Sequence, residues 1–135
     1  MARARPGQRF GVSLGTRLDG ALATHGDRVA LRVDDRVWTY RDFGREVDRV
    51  AATLADVGVG RGSVVGLSAG NSVEFAAVVV AALRLGAPIA MISTAWREAE
   101  FDHAAGLVEP THLVHDGSGA VDVAAHRPDL RVVPT

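Results

Sequence analysis

From Phe75 to Ile92 runs the most apolar stretch of the chain, and the way it is broken decides the fold class. Phe75 to Leu83 is apolar without a gap, Arg84 follows, and Gly86-Ala87-Pro88 intervenes before Ile89 to Ile92 resumes the run. A membrane span needs about 20 consecutive apolar residues. Glycine and proline at this point read instead as the stop of a buried helix and the start of a buried strand. The helix expected over Val73–Leu85 is apolar almost all round, so it needs cover on every side. Where the fold leaves it bare, Phe75, Val78 and Val79 are the candidate interface residues, and self-association or a partner chain is the expected cover.

The flanking segments repeat the pattern. Thr39 is placed to cap a helix, and Asp42 three residues later can reach back to its amide. Phe43, Val47, Val50, Ala51, Leu54 and Val57 then follow at helical spacing, and Gly58 stops them. Ser63–Ala69 reads as a buried strand, Gly70-Asn71-Ser72 as a turn, and Ser72 as the cap of the apolar helix. Arg97–Leu107 reads as a further helix ended by Pro110, and His112–His115 as a strand. Asp116–Gly119 is a turn, followed by a weak helix and a strand over Leu130–Val133. Upstream, Leu14, Leu18, Ala21 and Leu22 share one face of a helix expected over Val12–Thr24. Val29–Val33 and Arg36–Thr39 form a hairpin across Asp34-Asp35, with Val37 and Trp38 on opposite faces. Strands alternating with helices predict an α/β fold: a largely parallel sheet covered by helices and preceded by a β-hairpin. Residues 1–11 are expected to be a flexible tail before an α/β unit over 12–135.

Composition narrows the chemistry. Net charge is −1, which gives no electrostatic case for nucleic acid or an anionic membrane. There is no cysteine, which removes a disulfide framework, a thiol nucleophile and Cys-ligated zinc, and fits a cytoplasmic location. All 15 basic residues are arginine. No lysine is therefore present to hold a phosphate, form a Schiff base or stabilise an adenylation transition state.

Several short motifs fall in one order. Trp38-Thr39-Tyr40 precedes the amphipathic helix, and Gly58-Val59-Gly60-Arg61-Gly62 leads into Ser63-Val64-Val65. Gly70-Asn71-Ser72 runs into Val73-Glu74-Phe75, and Arg84-Leu85-Gly86-Ala87-Pro88-Ile89 follows. Trp96-Arg97-Glu98-Ala99-Glu100 opens the next helix, and Thr111-His112-Leu113-Val114 comes after it. From Asp27 to Asp116 this succession resembles the opening region of the AMP-forming acyl ligases, the acyl-CoA synthetase and adenylation-domain family. Ser63 stands where that family usually has aspartate, and a serine can also bond the turn.

The resemblance implies the N-terminal part of a ligase, as a split subunit or a truncated form. Such a ligase adenylates a carboxylic acid with ATP and magnesium, then passes the acyl group to the thiol of coenzyme A or a carrier protein. The family's phosphate loop, its ribose-binding aspartate and its C-terminal lysine have no match here. No catalytic, cofactor-binding or metal residue is therefore carried over, and the chain is expected to be inactive alone and to need a complementary ligase chain. The motif residues Thr39, Tyr40, Asn71, Ser72 and Gly86 carry over as structural. The alternative is a non-catalytic binding or regulatory module of ligase-like fold that docks a partner protein.

The remaining polar groups read as structural. Gly58, Gly60 and Gly62 precede a strand, so they do not set up phosphate capture at a helix start. Asp116-Gly117-Ser118-Gly119 reads as a surface turn. His112 and His115 point to opposite faces of a strand, and with His103 they make no metal set. Trp96 reads as a ring packed on the sheet, and Glu98, Glu100 and Asp102 as a solvated helix start.

Overall fold

The computed structural model describes residues 13–135 of the chain. The expected tail, and Val12 of the first helix, lie outside these residues. The elements run α1 (Leu14–Thr24), β1 (Val29–Val33), β2 (Arg36–Thr39), α2 (Tyr40–Asp56), β3 (Val65–Ser68), α3 (Val73–Arg84), β4 (Ile89–Met91), α4 (Glu98–Val108), β5 (His112–His115), α5 (Val123–His126) and β6 (Arg131–Pro134). Strands β1 and β2 pair antiparallel as the expected hairpin. The other four form one parallel sheet in the order β4-β3-β5-β6. Strand β3 is shorter than the Ser63–Ala69 expected, because Ser63 serves the preceding turn.

Helix starts follow their caps. The Thr39 hydroxyl accepts from the Asp42 amide at 3.1 Å, and the Ser72 hydroxyl accepts from the Phe75 amide at 3.0 Å. The Asp42 carboxylate accepts from the Thr39 hydroxyl and not from the Thr39 amide. Thr39 ends the hairpin ladder opposite Val29, so the box is half formed. Ser13 caps α1, accepting from the Thr16 amide at 3.2 Å. Leu14 sits in that first turn and is 60% exposed, contrary to its expected place on the apolar face. Leu18 and Leu22 do pack on the core, and Gly15 lets α1 cross α3 closely. A Cβ at Gly15 would stand 3.0 Å from the Leu83 carbonyl oxygen.

Two helical layers clothe the sheet. Helices α2 and α3, with α1 and the hairpin, share one core with Val65, Leu67, Val114 and Val133. Helices α4 and α5 share the other with Ile92, Leu113 and Leu130. Alternation along β3 sends Val65 and Leu67 to the first layer and Gly66 to the second. The second layer needs that glycine, since a Cβ there would meet Leu113 Cδ1 at 2.8 Å and Ile92 Cδ1 at 3.1 Å. Each buried Val or Leu contributes about 1.5–3 kcal/mol relative to leaving it exposed.

The apolar helix α3 is thus largely covered by its own chain. Val73, Ala77, Val78, Val80, Ala81 and Ala82 are buried, while Phe75, Ala76, Val79 and Leu83 remain half-buried along one stripe. Arg84, the charge that breaks the apolar run, sits at the helix end. It donates to Asp19 of α1 and Asp48 of α2, each at 2.7 Å, and so ties three helices together.

Candidate functional site

The sheet order creates one place where a ligand cleft is expected. Strand β3 leads into α3 in the first layer, and its neighbour β5 leads towards α5 in the second. The two departing loops diverge at the carboxyl ends of the strands, which is where open α/β sheets bind ligands. A cleft of about 320 Å³ opens there, with Ser68, His115, Gly119 and Asp122 on its walls. Gly119 passes close to Ser68, its Cβ position lying 3.6 Å from the Ser68 hydroxyl. The Ala120 amide donates to the Thr94 carbonyl at 3.1 Å, which ties the loop after β5 to the loop after β4.

Asp116 holds the rim. Its carboxylate accepts from the Gly70 amide at 2.8 Å, from the Ser118 amide at 2.9 Å and from the Ser118 hydroxyl. These bonds hold its carboxyl down at about 2, the Ser118 hydroxyl contributing most and the Gly70 amide next. A carboxylate so satisfied is a poor general base at neutral pH. Its role is to staple the loop after β3 to the loop after β5. The turn expected over Asp116–Gly119 is present, and Gly117 takes the left-handed backbone at φ 80°. The staple itself was invisible in the sequence, because Gly70 and Asp116 meet only through the β3–β5 pairing.

His115, on the cleft wall, accepts from the Gly117 amide through Nδ1 at 3.1 Å. His112 lies buried on the opposite face, as the strand alternation required. Its Nε2 lies 2.9 Å from the Val57 carbonyl and its Nδ1 2.8 Å from the Thr111 hydroxyl, so it ties the end of α2 to the sheet. His126 sits 2.9 Å from Asp102 and 3.7 Å from Glu98. Those two carboxylates are therefore partnered, not simply solvated, and Glu100 accepts from the Arg97 amide at 3.0 Å. Among the described residues no group of three or more His, Asp or Glu is arranged to hold a metal ion. Trp96 packs in the second core, as its ring was expected to.

The motif residues do not gather in one site. Thr39 and Tyr40 stand where the hairpin enters α2, and Asn71 and Ser72 where β3 enters α3. Gly86 lies at the far end of α3, with φ 78° and Arg61 Cγ 3.3 Å from its Cβ position. The loop Gly58–Gly62 lies at the opposite end of β3 from the cleft. There the Ser63 hydroxyl accepts from the Gly60 amide at 3.1 Å, doing the turn work that an aspartate would do. Of the candidate interface, Val78 is buried within this chain, while Phe75 and Val79 keep part of their surface free.

The cleft's donor set does not suit a nucleotide triphosphate. Its walls carry no arginine, Asp122 adds negative charge to them, and the neighbouring Asp116 carboxylate is already saturated by the Gly70 and Ser118 donors. No helix among the described residues is long and apolar enough to cross a membrane.

The profile described as "AMP-binding enzyme" matches residues 18–134. A medium/long-chain-fatty-acid–CoA ligase of Mycobacterium tuberculosis is 36% identical over 111 residues, 82% of this chain and 18% of that protein. The chain thus spans less than a fifth of that relative's length. The N-terminal subdomain of Klebsiella oxytoca NpsA superposes with a TM-score of 0.81 at 21% identity, covering 90% of this chain and 31% of that one. O-succinylbenzoate coenzyme A synthetase of Bacillus subtilis, solved with AMP, gives 0.79 at 20% identity, covering 87% and 30%. At these identities the two structures establish a shared fold.

Proposed function

Because the chain belongs to the AMP-binding enzyme family, we propose that it forms the N-terminal α/β part of a ligase that adenylates a carboxylic acid with ATP. The complete enzyme then passes the acyl group to the thiol of coenzyme A or of a carrier protein. The family match over nearly the whole described chain carries this reading. This part supplies the shell of the active site and does not perform the chemistry. It has no lysine, and its cleft has the wrong charge for a triphosphate. ATP and magnesium are held by the remaining ligase portion, whether that portion follows in the same polypeptide or comes as a partner chain. The working location is the cytoplasm. A medium- to long-chain fatty acid is the first substrate to assay, by likeness to the Mycobacterium tuberculosis relative.

The test is carboxylate-dependent ATP–pyrophosphate exchange. None is expected from the chain alone, and exchange is expected once the remaining ligase portion is present. Exchange by the isolated chain would overturn the reading. The half-buried stripe of Phe75 and Val79 favours a second reading, a non-catalytic module that docks another protein. That module would form a stable complex with no gain in exchange.

A further inference from the structure

The chain contains two Asp-Gly pairs, Asp19-Gly20 and Asp116-Gly117, and the fold places them in opposite settings. Aspartate before glycine is prone to isomerise, because glycine has no side chain to keep its nitrogen away from the preceding carboxyl group. In the first step the glycine nitrogen bonds to the aspartate Cγ. The proton it loses and the hydroxyl of the protonated carboxyl group leave as water, closing a five-membered succinimide. Water then adds at the main-chain carbonyl and breaks its bond to nitrogen. The product runs the chain through the aspartate side chain and carries a new carboxylate where the main-chain carbonyl stood.

Gly20 lies inside α1, where its amide is committed to the carbonyl one turn back. Asp19 is held as well, accepting two N–H groups of Arg84 at 2.9 and 2.7 Å. Gly117 lies in an exposed turn outside helix and strand, with φ 80°. Its amide donates to a side chain, His115 Nδ1 at 3.1 Å, and a ring nitrogen can take up that proton as the glycine nitrogen attacks. The restraint on this pair comes from the Asp116 carboxylate. Its bonds from the Gly70 amide, the Ser118 amide and the Ser118 hydroxyl favour the ionised form, whereas ring closure needs the protonated one. We propose that Asp116-Gly117 is the isoaspartate-forming site of the folded chain, and that the bonds from Gly70 and Ser118 set how slowly it converts. Conversion adds one carbon to the main chain and moves the carboxylate, so it releases the loop after β5 from the loop after β3 at the rim of the cleft.

The experiment is storage of the full chain at physiological temperature and neutral pH, with electron-transfer fragmentation of its peptides reading isoaspartate at both pairs. Isoaspartate is expected at Asp116 and not at Asp19. Ser118→Ala removes one hydroxyl from an exposed turn, so it should leave the fold intact and speed conversion at Asp116 by roughly threefold or more. In urea, where both settings are lost, Asp19 should convert as well. Equal conversion at the two pairs in the folded chain, none at Asp116, or an unchanged rate in Ser118→Ala overturns the proposal. Silence at Asp19 in urea overturns it too, since local sequence and not the fold would then separate the two pairs.

Discussion

The two faces of the sheet are covered very unequally. On one face, α2 and α3 interlock beneath α1 and the hairpin, and Arg84 ties three helices together. On the other, α4 and the four-residue α5 close over a smaller core, whose buried side chains among the described residues are Ile92, Phe101, Ala105, Leu113, Val123 and Leu130. Leu107, at the end of α4, is 73% exposed. The first layer is built from elements that follow one another and cap one another. The second depends on segments brought together from Ile92 to Leu130. The cleft opens beside the thinner layer, so the candidate site borders the less extensively packed side of the sheet.

The sharpest way to break this comparison is to open a cavity in each layer. Leu54→Ala, in α2 at 1% exposure, should lower the free energy of urea unfolding by about 3 kcal/mol. Phe101→Ala, in α4 at 2% exposure, should instead strip exchange protection from α4 and α5 while α2 and α3 keep theirs. Equal loss of protection in both layers would show one cooperative unit. A smaller effect comes from overfilling. Gly66→Ala should cost about 2 kcal/mol, because its methyl would press on Leu113 and Ile92 of the second core alone. Free accommodation of that methyl would mean the second layer is looser than described.

The smallest effect tests the seam between the layers. The folded-state value of Asp116 is depressed from 3.8 to about 2, so its stabilisation is fully present above pH 3.8 and disappears as the pH falls through about 2. The melting temperatures of the unmodified chain and of Asp116→Asn should therefore differ at pH 6 and converge near pH 2. A gap that stays constant over that range would show that Asp116 does not act through its charge.

Much of the first layer was legible in the sequence, because its signals are local. Thr39 and Ser72 announce their helices, the apolar spacing from Phe43 to Leu54 names the buried face of α2, and Gly86 marks a left-handed turn. The parallel sheet was legible from alternation alone. What the sequence did not reveal is what depends on strand order. That β3 lies between β4 and β5 decides that Gly70 meets Asp116, and the packing of α5 on α4 decides that His126 meets Asp102. Val78 was placed among the candidate interface residues for a related reason. An apolar position such as Val78 declares a need for cover, and only the tertiary structure shows that α2 and the sheet supply it.

The central place of β3 also sets a timetable for the growing chain. Val64 and Thr111 bond across 47 residues of sequence, so β3 cannot acquire β5 until that whole length exists. At a synthesis rate of about 5–20 residues per second, β3 waits roughly 2–9 s with that side unpaired. All four of its residues are buried in the finished fold, so they are held out of place for that interval. The hairpin, α2 and α3 are complete before then and can shelter one face of the strand. The other face stays bare until α4 arrives, which makes this interval the one in which a chaperone would have most to hold.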